Sequence, residues 1–132
     1  MDTPKVVLAN GCFDVFHIGH VRHLKAARKM GDVLIVSLTR DRSVNKGPGR
    51  PVFTEAERAE MLKPYCDSVI LVDDALEALQ QVDPDVFVKG PDYVGRIRAE
   101  DQAYCDARGI EIAFTTDPKY SSTVLIDRLR QD

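Results

Sequence analysis

The sequence predicts one α/β domain over residues 1–132, built on a doubly wound, five-stranded parallel sheet with helices on both faces. Three observations predict it. Short apolar runs rich in β-branched residues alternate with longer segments of helical period along the chain. Those runs are continuously apolar, as expected of strands buried on both faces. A chain of 132 residues, 44% hydrophobic and 30% charged, can bury one ordinary core but has no room for two full domains. Repeated β-α alternation then implies parallel strands joined by right-handed crossovers.

In chain order, the first strand is expected over Lys5–Gly11 (KVVLANG), followed by a helix over about His20–Met30 that Gly31 stops. The second strand is Val33–Thr39 (VLIVSLT), and a Gly/Pro-rich loop, Lys46–Val52 (KGPGRPV), leads to a helix over Thr54–Lys63. Thr54 with Glu57 three residues on forms a capping box. The third strand is Ser68–Val72 (SVILV), and Asp73 and Asp74 read as acids opening the helix Ala75–Gln81 rather than as metal ligands. Strand Asp85–Gly90 (DVFVKG), helix Arg96–Arg108 with Gly109 at its stop, strand Ile110–Thr115 (IEIAFT) and helix Ser122–Arg130 complete the order.

Composition excludes several classes. A formal charge of -3 gives no electrostatic footprint for nucleic acid or an anionic membrane, so any bound anion must be held by a local constellation. No stretch approaches the roughly 18 apolar residues needed to span a bilayer, and no apolar segment follows a basic start. A cytoplasmic protein is expected. Cys12, Cys66 and Cys105 are odd in number and form no C-x-x-C pair, so reduced, buried thiols are expected rather than a disulfide framework or a zinc ribbon.

Ligands of such sheets bind beyond the carboxyl ends of the strands, where the strand order switches. The stretch GCFDVFHIGH falls there: Asn10 and Gly11 end the first strand, a loop carries Asp14 and His17, and Gly19 lets backbone pass close to whatever His17 and His20 face. The helix that follows is expected to aim open N–H groups and its positive dipole end at the same point, which favours phosphate. An imidazole adds a directed donor with an unperturbed pKa of about 6.5. The pattern therefore suits a reacting phosphate.

Other readings of these residues stand beside this one. His17, His20 and His23 share a spacing of three and could form a metal site, although no Cys or carboxylate follows at zinc-site spacing. The GPGR run lacks Walker spacing, so a P-loop is not supported. Lys46 and Arg50 could lie in a solvated loop, and Arg58 could pair with Glu55 on an exposed helix face. Ser121, Ser122 and Thr123 could be a helix cap, and Tyr93 and Tyr120 could simply pack.

The same ten residues resemble the G-x-F-D-x-x-H-x-G-H signature of the cytidylyltransferase-like nucleotidyltransferases, which share a Rossmann-like fold and join a nucleoside triphosphate to a phosphorylated small molecule. LKAARKMGDVLIVSLTRDRSVNKGPGRPVFTEAERAEML, DVFVKGPDY and SSTVLIDRL resemble the sugar-phosphate branch, in particular ADP-heptose-forming domains, with glycerol-3-phosphate cytidylyltransferase as cousin and alternative. The resemblance implies that His17, His20 and Lys46 act on the triphosphate. It places Gly11, Cys12, Phe13, Asp14, Gly19, Arg58, Lys89, Gly90, Asp92, Tyr93, Ser121, Ser122 and Thr123 around the nucleotide, the Lys89–Tyr93 segment near base and ribose.

It further implies Mg²⁺ or another divalent cation held mainly by the triphosphate, with no protein metal ligands. The partners it implies are an NTP and a phosphorylated sugar or polyol, in a homodimer, for cell-surface polysaccharide precursors. NKGPGRPV and KGPDY point to ATP ahead of CTP. Departures from the pattern cluster near the base and acceptor: Pro91 replaces a glycine, Ser122 a threonine, and Lys119 and Thr116 stand where the family has other residues. A pantetheine-phosphate or flavin-type adenylyltransferase shares only the first motif. A non-catalytic nucleotide sensor is the reading from another class.

Overall fold

The computed structural model describes residues 3–116. Lys119, Tyr120, Ser121, Ser122, Thr123 and the expected last helix lie outside them. Five strands, β1 (Val6–Gly11), β2 (Val33–Thr39), β3 (Ser68–Val72), β4 (Val86–Lys89) and β5 (Glu111–Phe114), form one parallel sheet of order β3-β2-β1-β4-β5. Four helices, α1 (Ile18–Arg28), α2 (Glu55–Leu62), α3 (Ala75–Val82) and α4 (Ala99–Arg108), alternate with them. This is the Rossmann-like α/β sheet that the sequence predicts. Strand β1 takes the centre, where its Val7, Leu8 and Ala9 are fully buried.

Side chains alternate across the sheet and so feed two cores. Val7 and Ala9 pack with Leu24, Ala27, Leu34, Val36, Leu38 and Leu62 beneath α1 and α2. Leu8 packs on the opposite face with Val72, Ala78, Leu79, Phe87, Cys105 and Ile110 beneath α3 and α4. The chain runs outward from β1 to β3, then returns to lay β4 against the other side of β1. That reversal opens the switch-point crevice between the ends of β1 and β4.

Element ends follow local chemistry. Helix α2 has the expected reciprocal box, Glu57 N–H to Thr54 Oγ1 at 3.2 Å and Thr54 N–H to Glu57 Oε1 at 3.0 Å. Asp74 caps α3 by accepting from the Glu77 N–H, and Asp73 instead binds Arg42 and Ser43. Helix α4 starts at Ala99, three residues later than expected, because a 3-10 turn at Pro91–Tyr93 and Gly95 at φ +74° hold the preceding segment out of helix. Gly31 marks a close approach, since a Cβ there would lie 2.6 Å from Val7 Cγ2 and 2.8 Å from Lys5 O. Of the cysteines only Cys105 is buried; Cys12 and Cys66 are partly exposed, so the expected burial holds for one thiol of three. Among the described residues no helix is long and apolar enough to cross a membrane.

Candidate functional site

The loop after β1 folds back beneath α1. Phe13 adopts the left-handed region at φ 51° and is buried, and a Cβ on Gly11 would come within 2.9 Å of its ring, so the close approach requires glycine at 11. Phe13 meets His20 edge-on at 5.2 Å, Phe16 stacks on the other side at 5.7 Å, and the His17 and His20 rings stack at 3.9 Å.

The two imidazoles form a capping box of their own. His17 is the N-cap of α1, its Nδ1 accepting the Gly19 N–H at 3.0 Å, and His20 Nδ1 accepts the His17 N–H at 3.1 Å. This is why α1 begins at Ile18, two residues ahead of expectation. A backbone N–H is only a donor, so each Nδ1 is an acceptor and each ring carries its hydrogen on Nε2. Both rings are held neutral. Burial, with help from His17, Lys46 and His23, pushes His20 down to about 3, and burial with Lys46 lowers His17 as well. The expected row of open amides is therefore partly closed by the rings, whose Nε2–H groups become the donors.

Charged side chains fasten this loop to its neighbours. The Asp14 carboxylate is fully buried and accepts from Arg50 Nε at 2.8 Å, Val52 N–H at 2.8 Å and Phe53 N–H at 3.0 Å; Arg50 also donates to the Asp14 carbonyl. These bonds hold the Asp14 carboxyl below its ordinary range although burial opposes them. Arg58 is fully buried. Its guanidinium donates to the carbonyls of Phe53 at 3.0 Å, Cys12 at 2.8 Å and Thr39 at 2.8 Å, and to Asp41 at 2.6 Å. The alternative pairing of Arg58 with Glu55 on an exposed face does not form: Glu55 accepts from the Asp41 N–H, and Arg58 ties together the ends of β1, β2 and the approach to α2.

Lys46 sits on the exposed loop, close enough to act electrostatically on Cys12, His17 and His20. Across β1, Lys89 reaches Asn10 Oδ1 at 3.4 Å and the Tyr93 ring at 4.2 Å, while Asn10 Nδ2 donates to Ser37 Oγ at 2.9 Å. Burial pushes the Lys89 ammonium down to about 8. Gly90 opens the 3-10 turn bearing Asp92 and Tyr93, both exposed, and a Cβ at 90 would lie 2.9 Å from Asp92 Oδ1. His23 points elsewhere: its Nδ1 lies 2.8 Å from Thr115 Oγ1 just beyond β5. Among the described residues no group of three His, Cys, Asp or Glu is placed to hold a metal.

The structure thus gathers His17, His20, Lys46, Cys12 and Gly19 on one side of the β1 end, and Lys89, Gly90, Asp92 and Tyr93 across the crevice. Asp14 and Arg58 lie beneath, bonded to the chain itself. Sequence reasoning missed the clip formed by Arg50 and the bridge formed by Asn10 and Ser37. No signal beyond their position at strand ends or in the GPGR loop could have found them.

The sequence profile of the cytidylyltransferase-like family matches residues 8–128. The chain is 37% identical over 131 residues to the bifunctional protein HldE of Syntrophotalea carbinolica, covering 94% of this chain and 26% of that protein. It is 46% identical over 99 residues to the HldE of Campylobacter jejuni subsp. doylei, covering 70% and 22%. The chain thus spans about a quarter of the length of these curated relatives. Among solved structures, a lipopolysaccharide core biosynthesis protein from Thermoplasma volcanium superimposes with a TM-score of 0.74 at 29% identity, over 89% of this chain and 100% of that one. A pantoate-beta-alanine ligase from Francisella tularensis, 16% identical, shares the fold, with a TM-score of 0.62 over 98% of this chain and 72% of its own. The matched span includes His17 and His20, β1 from Leu8 onward and the other four strands in full, and the chain belongs to the cytidylyltransferase-like family.

Proposed function

We propose that the chain is a nucleotidyltransferase that moves a nucleoside monophosphate from an NTP, ATP ahead of CTP, onto a phosphorylated sugar or polyol and releases pyrophosphate. The product would be an activated precursor for cell-surface polysaccharide, a reading supported by the likeness to HldE proteins and to a lipopolysaccharide core biosynthesis protein. The observation that carries the reaction class is the histidine capping box, which presents two neutral Nε2–H donors at the switch-point end of β1.

In-line displacement needs no side-chain nucleophile. An oxygen of the acceptor phosphate attacks the α-phosphorus, the bond to the bridging oxygen breaks, and pyrophosphate leaves. Negative charge concentrates on the α- and β-phosphate oxygens, where His17 and His20 would donate from Nε2 and Lys46 would close over from its loop. A neutral imidazole with its Nδ1 on the helix cap already carries the Nε2–H it donates, so no proton has to be taken up first. His17 Nε2 is shielded from solvent. Among the described residues no donor set suits a protein-held metal. The Asp14 carboxylate is occupied by Arg50 and two backbone N–H groups, so a divalent ion would enter on the triphosphate's own oxygens.

Pyrophosphate release from ATP, CTP, GTP and UTP over a panel of sugar and polyol phosphates, with His17→Ala as control, tests the reading. Turnover with one pair, lost in the variant, is the expected result. Thermal stabilisation ranks the nucleotides, since a ligand at about a hundred times its Kd adds about 2.7 kcal/mol. Nucleotide binding with no turnover on any acceptor would overturn the transferase in favour of a sensor. Turnover with CTP and glycerol 3-phosphate alone would replace the sugar branch with the glycerol branch.

A further inference from the structure

Among the described residues the arginines along this edge of the sheet are paired, whereas Lys89, at the switch point, is not. Arg40 and Arg42 bind Asp73, Arg50 binds Asp14, Arg58 binds Asp41 and Arg98 binds Asp101. Lys89 reaches no carboxylate among the described residues. Its part-buried ammonium has one long hydrogen bond to Asn10 Oδ1 and the face of Tyr93. Asn10 is aimed at it because the other end of that amide is fixed on Ser37. Three N–H donors with one weak acceptor leave a cation short of partners where water is restricted.

Lys89 also stands apart from the other positive centre. The charges acting on it are Asp101, Asp92 and Arg98, whereas Lys46 acts on both His17 and His20. The end of β1 separates the two. In-line displacement asks for such a division, because the entering oxygen and the departing pyrophosphate occupy opposite sides of the α-phosphorus.

We infer that Lys89, framed by Asn10 and Tyr93 at the switch point, anchors the phosphate monoester of the acceptor, while His17, His20 and Lys46 attend the triphosphate. This rests on the nucleotidyl-transfer reading, and it moves Lys89 from the base and ribose to the second substrate. The acceptor phosphate enters as a dianion, so one P–O bond forms as another breaks and no proton has to be removed. Lys89 therefore serves as a fixed cation. Its ammonium, lowered to about 8 by burial, is still mostly charged at neutrality, and a bound dianion would raise it.

The probe is inorganic phosphate, followed by the NMR titration of the Lys89 side chain and by calorimetry on the whole chain. The Lys89→Met variant identifies the resonance by its loss. Phosphate is expected to raise the titration midpoint of the amine by about one unit, and Lys89→Met to weaken phosphate binding by about tenfold or more, with Lys89→Arg restoring most of it. Affinity for the non-reacting α,β-methylene analogues of ATP and CTP should change by less than about twofold in the same variants, as for independent sites. Phosphate binding unaltered in Lys89→Met, or analogue affinity falling in step with it, overturns the assignment. If the wild-type chain binds neither analogue, the transferase reading itself fails and the acceptor role falls with it, a pattern distinct from loss of phosphate binding alone.

Discussion

Two sets of polar residues share the carboxyl edge of the sheet, and they differ in where their bonding capacity goes. Asp14, Arg50 and Arg58 are buried, and their carboxylate and guanidinium groups are bonded to carbonyls, amides and each other. His17 and His20 give one nitrogen each to the helix cap and carry hydrogen on the other, and Lys46 rides an exposed loop. The first set holds three chain segments together, so its removal should be felt in stability. The second should be felt in turnover.

Arg58→Ala tests the first half and should have the largest effect. It leaves three carbonyls without the fork that joined them, each costing about 1–3 kcal/mol if unsatisfied, while the half-exposed Asp41 can turn to water, so a loss of about 3–5 kcal/mol is expected. Urea unfolding should show that loss, and Arg58→Lys should recover little, since a single ammonium cannot reproduce a planar fork. A change below about 1 kcal/mol would mean the network is not what holds the loops.

His17→Asn separates the two roles within one residue. Asparagine keeps a side-chain acceptor at the N-cap, so stability should change by less than about 1 kcal/mol. The Nε2–H is lost, and removing such a donor should cost about 3 kcal/mol of transition-state stabilisation, about a hundredfold in kcat. His17→Ala should lose both. Equal stability losses in the two variants would show that the cap is not carried by the imidazole.

Acid should undo the same pair. His20 titrates at about 3 in the folded chain against about 6.5 when unfolded, so the unfolded state takes up the proton first and folding loses stability as pH falls below about 6.5. Protonated Nδ1 can no longer accept, and the capping box opens. Between pH 6 and 4.5 the loss should approach about 2 kcal/mol, before the carboxylates held low, such as Asp14 and Asp67, begin to contribute. Unfolding free energies measured across that range should flatten in His20→Asn. A profile as steep as the wild type's would place the acid sensitivity elsewhere.

The sequence conveyed the sheet well because its signals are local. Apolar runs gave β2 and β3 to the residue, and Thr54 with Glu57 gave the start of α2. It conveyed the histidines because a motif of fixed spacing carries them. It could not convey Arg58 or Arg50, since Arg58 reaches Cys12 across 46 positions and Arg50 reaches Asp14 across 36, and an arginine in TEAERAE looks solvent-facing until the loops close over it. Nor could it show that the rings themselves cap α1. Histidine is not a preferred N-cap residue, so propensity placed the helix start at His20 rather than Ile18.

Thr54→Ala sharpens the comparison with the smallest effect. Thr54 follows Phe53, whose N–H binds Asp14 and whose carbonyl binds Arg58, so it adjoins the framework in sequence, yet among the described residues its exposed side chain bonds only with Glu57. If the framework is held by the buried charges, losing this cap should cost about 1 kcal/mol in urea unfolding and leave kcat and the KM for nucleotide unchanged. A drop in kcat of about tenfold or more would mean that the entry angle of α2 is transmitted through Arg58 to the loop bearing the histidines, and the division between holding and reacting residues would then have to be redrawn one helix further out.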